Sequence, residues 1–170
     1  MRKTVEDIGA NDGAALATRV GLYTPEQRAR RDASVWTLVQ GILAPLQFLA
    51  FAVSLVLVLR YLASGDGYFA ATISILIKTV LLLTIMVTGA IWEKVVFGQY
   101  LLAPAFFWED VVSFVVIALH LAYVAALMTG ALGSNGEMWL ALAAYATYAV
   151  NAAQFILKLR SARLQSRGMA

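Results

Sequence analysis

The chain has 170 residues, of which 61% are hydrophobic and 14% charged, where a soluble domain carries ~25% charged residues; a water-soluble globule is excluded and one membrane domain is expected. With no cysteine and one histidine, disulfides, thiolate metal sites, iron–sulfur clusters, dithiol chemistry and multi-histidine zinc or haem sites within one chain are excluded as well. The +3 net charge calls for no nucleic-acid partner and reads as topological information with some attraction to anionic lipid.

Residues 1–22, with Gly9, Asn11, Asp12, Gly13 and Gly21, are expected to form a mobile tail. The first 34 residues carry mixed charge and no apolar stretch, so no cleavable signal peptide is expected. Val35 to Leu59 then runs without a charge, more than the ~30 Å hydrocarbon slab requires at ~1.5 Å per residue. Phe69 to Trp92 forms a second span interrupted by Lys78, Val111 to Leu132 a third holding His120, and Met138 to Leu157 a fourth. The breakers Ser64-Gly65-Asp66-Gly67 and Gly133-Ser134-Asn135-Gly136 separate them. In hydrocarbon every backbone amide needs an internal partner, so spans of this length are helices.

The expected fold is therefore all-α, an integral membrane four-helix bundle over residues 23–164, with helices at about 35–62, 69–94, 106–130 and 138–160 and a short tail over 165–170. Arg2, Lys3, Arg19, Arg28, Arg30 and Arg31 precede the first helix, and Lys158, Arg160, Arg163 and Arg167 follow the apolar part of the last. The positive-inside rule then makes the N and C termini cytoplasmic in a multi-pass protein of a bacterial inner membrane, cytoplasmic or intracytoplasmic. The segment from Glu93 to Trp108 becomes the one internal loop, and the outer loops carry only Asp66 and Glu137. Pro45, inside the first span, is expected to kink it and free one carbonyl.

An ionisable residue within a span costs ~2.5–3.5 kcal/mol on insertion scales, so each asks for a reason. Lys78, His120, Tyr145 and Tyr148 fall at one level of the outer half, ~12–14 Å deep by helical rise. Glu93, Lys94, Glu109 and Asp110, with Trp36 and Gln40, form a second layer at the cytoplasmic edge, where Trp92 and Trp108 bracket the loop as interface anchors do. Gln47 and Asn151 lie between the layers. At ~100° per residue Glu109, Ser113 and His120 share one face, Gln40, Gln47 and Ser54 recur at sevens, and Tyr148, Asn151, Gln154 and Lys158 line up. The first, third and fourth of these helices thus each carry a polar stripe expected to face the interior. Plain alternatives stand beside this: solvated charge at helix ends for the acids, a neutral hydrogen-bonded imidazole for His120, a snorkelling Lys78, and interhelical glue for the Gln and Asn residues.

Longer words in the sequence say more. Leu22-Tyr23-Thr24-Pro25-Glu26-Gln27-Arg28, Arg31-Asp32-Ala33-Ser34-Val35-Trp36-Thr37-Leu38-Val39-Gln40-Gly41 and Ala44-Pro45-Leu46-Gln47-Phe48 open the match. Thr88-Gly89-Ala90-Ile91-Trp92-Glu93-Lys94-Val95-Val96-Phe97-Gly98, Ala103-Pro104-Ala105-Phe106-Phe107-Trp108-Glu109-Asp110, Ala144-Tyr145-Ala146-Thr147-Tyr148 and Asn151-Ala152-Ala153-Gln154-Phe155 complete it. Together they resemble the 3-vinyl bacteriochlorophyllide hydratase family of bacteriochlorophyll biosynthesis, from about Leu22 to Leu164. The resemblance implies a hydro-lyase of a phototrophic bacterium that adds water across the vinyl group of a chlorophyllide-type macrocycle to give a 1-hydroxyethyl product. It also implies the lipid bilayer as the place where that flat, apolar ring is met, and leaves room for other pigment-biosynthesis enzymes and for a homo-oligomer as partners.

Hydrating an alkene takes an acid to protonate carbon and a base for the water, each worth ~10²–10⁴ in rate. No cofactor is expected; magnesium enters only as part of the chlorin substrate, and the protein itself holds no metal. The catalytic candidates are Glu93, Glu109 and Asp110, with Glu93 meeting one of the other two across the hairpin and Glu109 preferred because it shares a face with His120. Adjacent helical residues diverge by ~100°, so Glu109 and Asp110 are not expected to act on each other. The substrate-binding candidates are His120, Lys78, Gln40, Gln47, Trp92, Trp108, Tyr148 and Asn151, with His120 a candidate axial ligand for the substrate magnesium. Eleven residues separate Glu109 from His120, ~16 Å along a helix, too far for both to serve one ring centre and its vinyl group. An alternative site uses His120 as acid–base with Lys78 or Tyr148. A non-catalytic pigment-binding or assembly protein, or an oligomeric scaffold, remains the competing functional class.

Overall fold

The computed structural model describes the backbone from residue 22 to 168 and side chains to Leu164. The expected mobile tail thus lies, except for Leu22, outside the described residues, as do residues 169–170. Five helices follow in order: α1 Pro25–Ala33, α2 Val35–Ser64, α3 Tyr68–Phe97, α4 Phe107–Thr129 and α5 Ser134–Gly168. The last four are each long and apolar enough to cross a membrane.

Helix α1 was not among the four expected, and its cause is local. Thr24 Oγ1 accepts from Gln27 N at 3.2 Å while Gln27 Oε1 accepts from Thr24 N at 2.9 Å, a reciprocal capping box with Pro25 in the first turn. Ser34 ends α1 and caps α2, its Oγ accepting from Trp36 N at 3.2 Å. Helix α2 continues through Pro45 without a break. The turns after α2, α3 and α4 are made by Gly65, Gly98 and Gly130 at φ 77°, 87° and 65°, the left-handed cap that costs glycine least. The expected breaker at 133–136 is mostly helix, because α5 begins at Ser134. The loop expected from Glu93 to Trp108 shrinks to residues 98–106, because α3 runs on to Phe97 and α4 begins at Phe107.

The molecule is two close antiparallel hairpins, α2 with α3 and α4 with α5, packed more sparsely on each other. At one end of the bundle all four helices meet around Val58, Ala71, Ile75, Tyr123, Ala141, Ala144 and Tyr145. The alanines let the backbones approach closely, which is how helices associate where lipid supplies no hydrophobic drive between them. Interhelical hydrogen bonds tie this end: Ser54 Oγ to Tyr145 OH at 2.5 Å and to Ser74 Oγ at 2.7 Å, Tyr61 OH to Ser134 Oγ at 2.8 Å, and Tyr68 OH to Glu137. Large apolar side chains such as Leu38, Val56, Ile77, Val87, Trp139 and Ile156 face outward around the barrel of helices, the surface a lipid phase requires. Towards the other end the hairpins part, and α1 packs on α3 there.

Candidate active site

Where the hairpins part they enclose a cavity of about 910 Å³, at the upper end of the range for small-molecule sites. Its walls are mainly apolar, from Ala44, Phe48, Leu82, Ile85, Met86, Ile117 and Phe155. Of the expected site residues, Gln40, Gln47, Trp92, Glu93, Asp110, Tyr148 and Asn151 line it.

Glu93 closes the last turns of α3 and Asp110 opens α4, 5% and 3% exposed. Both line the cavity, near enough to act on each other electrostatically; two carboxylates brought together repel, and one proton shared between them relieves the repulsion. Each also takes a backbone N–H from the connecting loop: Ala103 N donates to Glu93 Oε2 at 3.2 Å and Leu102 N to Asp110 Oδ2 at 2.6 Å. To present these amides the loop holds Leu101 and Leu102 at φ 55° and 56°, a left-handed conformation costing ~1–2 kcal/mol per residue in a side chain other than glycine. Strain kept at this point and not elsewhere among the described non-glycine residues marks the acid pair as something the fold holds in place.

Glu109, the preferred candidate, is placed elsewhere by the fold. Glu109 does not line the cavity; it turns to α5, where Lys158 Nζ donates to its Oε2 at 2.5 Å. The ~100° between successive helical side chains sends the two neighbours to different partners, and Asp110 is the one that meets Glu93.

His120 and Lys78 also lie off the cavity wall, in the closed half of the bundle. His120 Nδ1 bonds the Val116 carbonyl at 2.8 Å, which makes it the protonated nitrogen, and Nε2 accepts from Lys78 Nζ at 2.9 Å. Both ring nitrogens are occupied and the ring is 1% exposed, so His120 does not fit the role of axial ligand to a ring in the cavity. Lys78 Nζ is held over the ring faces of Tyr148 at 4.1 Å and Tyr145 at 5.1 Å. Trp108 is 68% exposed on the outside of α4 and away from the cavity, the placing of an interface anchor. Trp92 is no such anchor: its Nε1 donates to Thr37 Oγ1 at 2.9 Å and its ring meets Phe97 and Phe106 edge-on. Among the described residues no group of three metal-ligating side chains occurs.

Sequence reasoning missed the mouth. Arg28 and Arg31 from α1 and Arg163 from α5 also line the cavity, at the end of the bundle where α1 packs. Arg31 lies 4.7 Å over the Tyr23 ring and bonds Asp32, and burial pushes the Tyr23 phenol up while Arg31 opposes the shift. The Thr24-Pro25-Glu26-Gln27 capping signature was the signal available for it.

A helical bundle with four helices able to span a membrane, and with buried acids on the wall of a large, mainly apolar cavity, is the class these features define. The sequence profile of the 2-vinyl bacteriochlorophyllide hydratases matches residues 23–161, and the chain belongs to that family. Among similar proteins, the 2-vinyl bacteriochlorophyllide hydratase of Rhodobacter capsulatus is 74% identical over 88% of this chain and 86% of its own. That of Cereibacter sphaeroides is 76% identical over 84% of this chain and 89% of its own. No solved structure matches the chain.

Proposed function

We propose that this protein hydrates the vinyl group of a chlorophyllide-type macrocycle to a 1-hydroxyethyl group, acting from a bacterial inner membrane with both termini in the cytoplasm. The observation that carries the proposal is the buried Glu93–Asp110 pair on the wall of an apolar cavity of about 910 Å³. The ring enters sideways from the lipid between α2 and α5, where Phe48 and Ile156 line the cavity and are also 55% and 62% exposed. Its carboxylate edge meets Arg28, Arg31 and Arg163 at the mouth, the side of the cations.

The proton held by the acid pair passes to the terminal vinyl carbon, which becomes a methyl group, and positive charge appears on the carbon attached to the ring, where the macrocycle delocalises it. Water bonds to that carbon through oxygen and returns one proton to the pair, which had gone from singly to doubly anionic, so the acid is regenerated and the sum is vinyl plus water. Nothing is oxidised or reduced, and acid–base side chains suffice. The Leu102 and Ala103 amides stabilise the pair while it is anionic.

The test uses membranes containing the protein, incubated with a vinyl chlorin, with the mass of one added water as readout. Glu93→Gln and Asp110→Asn are expected to lose at least ~10²-fold in turnover, whereas Glu109→Gln keeps most of it. Full turnover in both cavity variants overturns the acid-pair assignment. Pigment that co-purifies and is never converted favours the binding-protein reading instead.

A further inference from the structure

The cavity wall carries a second polar feature that the acid pair does not use. Gln47 is 2% exposed and neither its Nε2 nor its Oε1 has a hydrogen-bond partner; Asn151, 7% exposed, leaves Oδ1 without one. Both line the cavity. The orientation of Asn151 is fixed by its neighbours: Ser113 Oγ donates to the Glu109 carbonyl at 2.8 Å and so accepts from Asn151 Nδ2 at 2.7 Å, which leaves Oδ1 for the cavity. Buried amide atoms without partners cost stability, and such groups call for a ligand.

The two amides stand at about one level of the cavity wall. Phe51 of α2 and Tyr148 of α5 are in ring contact at 4.9 Å. In antiparallel helices, stepping back one turn from Phe51 to Gln47 and forward one turn from Tyr148 to Asn151 moves both towards the same end, that of the acids. The Asn151 partner Ser113 lies three residues beyond Asp110, ~4.5 Å along α4, so the amides stand about one turn above the acid pair.

The unpartnered set, two amide oxygens and one NH₂ group with two N–H donors, says what fits. A chlorin edge offers carbonyl acceptors and apolar groups and has no donor for the two amide oxygens. Before attack, water has two O–H donors for Gln47 Oε1 and Asn151 Oδ1, takes a Gln47 Nε2–H on one lone pair and keeps the other free to attack; once the C–O bond forms, the oxonium turns one of its protons from the amides to the acid pair. Along α2 the way in from the mouth is polar: Gln40 lines the cavity, as does Gly41, whose carbonyl receives no N–H from Pro45. We propose that Gln47 and Asn151 clamp the attacking water over one face of the vinyl-derived cation and thereby set the configuration of the new carbinol carbon. The inference rests on the hydratase reading and deepens it.

Gln47→Met keeps side-chain length and removes both amide atoms. The expected result is a kcat lower by ~10²-fold, a KM for the pigment within about twofold of the parent, and a product epimer ratio moved towards equality, measured by chiral separation. The variant is expected to be at least as resistant to heat in detergent as the parent, because it removes buried unpartnered groups; a residue with a merely structural role lowers stability and leaves the epimer ratio alone. Asn151→Leu is expected to shift the ratio in the same direction. A raised KM with unchanged epimers, a parent protein that already gives both epimers equally, or a Gln47→Met variant indistinguishable from the parent overturns the clamp while leaving the hydratase reading intact. A parent protein that produces no added-water mass overturns that reading and the clamp with it.

Discussion

Glu109 and Asp110 are neighbours with nearly equal burial, 6% and 3% exposed, yet their environments divide their roles. Asp110 faces Glu93 and a loop amide in a ligand-sized cavity; Glu109 faces a cation, Lys158, whose side chain is 27% exposed. A buried ion pair with one partner removed leaves an uncompensated charge, ~3–5 kcal/mol when both groups are fully buried. The partial exposure of Lys158 lowers this, so Lys158→Met is expected to cost about 2 kcal/mol, read as a lower unfolding temperature in detergent. Adding Glu109→Gln should recover part of the loss, a coupling that a double-mutant cycle measures. At this scale the sequence grouped the acids at one level and could not say which of them line the cavity. The choice follows from which neighbour each side chain meets, and that depends on how α4 is rotated against α3 and α5.

The connection between α3 and α4 is the element on which the site depends most. Helix α3 runs on to Phe97, and residues 98–106 fold back so that two consecutive N–H groups point at the acids. Leu102→Pro removes one of these donors and cannot adopt φ 56°, so a loss of ~3 kcal/mol or more is expected, with turnover lost as well. Leu102→Gly relieves the left-handed strain, but glycine gives up ~0.4–1 kcal/mol through the unfolded chain, so its stability is expected to stay within ~1 kcal/mol of the parent. Thermal unfolding of both variants in the same detergent makes the comparison. No residue in Gly98-Gln99-Tyr100-Leu101-Leu102 advertised this shape, because leucine is an unusual choice for positive φ. Helix α1 is the opposite case: its capping box was written in the sequence, and its place across the mouth was not.

For the whole molecule the division is between a closed half and an open half. The closed half holds Lys78 and His120 against Tyr145 and Tyr148, while the open half holds the cavity and the acids. Since the chain has no cysteine, single introduced thiols report sidedness without background. Asp66→Cys, in the exposed turn between α2 and α3, is expected to react with a membrane-impermeant maleimide in intact cells. Gln99→Cys and Ser161→Cys are expected to react only after permeabilisation; labelling in the reverse pattern inverts the proposed topology and puts the arginine-lined mouth on the wrong side.

The four spans, the all-helical class and the inward-facing stripes were legible in the sequence because they follow from local rules: a backbone in hydrocarbon must satisfy itself, and side-chain direction repeats every 3.6 residues. The layer of acids near Trp92 and Trp108 was legible for the same reason. What the tertiary structure alone decided was that the hairpins separate at one end to leave a cavity, that Asp110 and not Glu109 meets Glu93, that His120 spends both nitrogens within the closed half, and that Gln47 and Asn151 stand unpartnered on the cavity wall. These depend on the rotation and spacing of one helix against another, which a one-dimensional pattern does not encode, since the same stripe can face a neighbour's alanine, its lysine or an opening between hairpins.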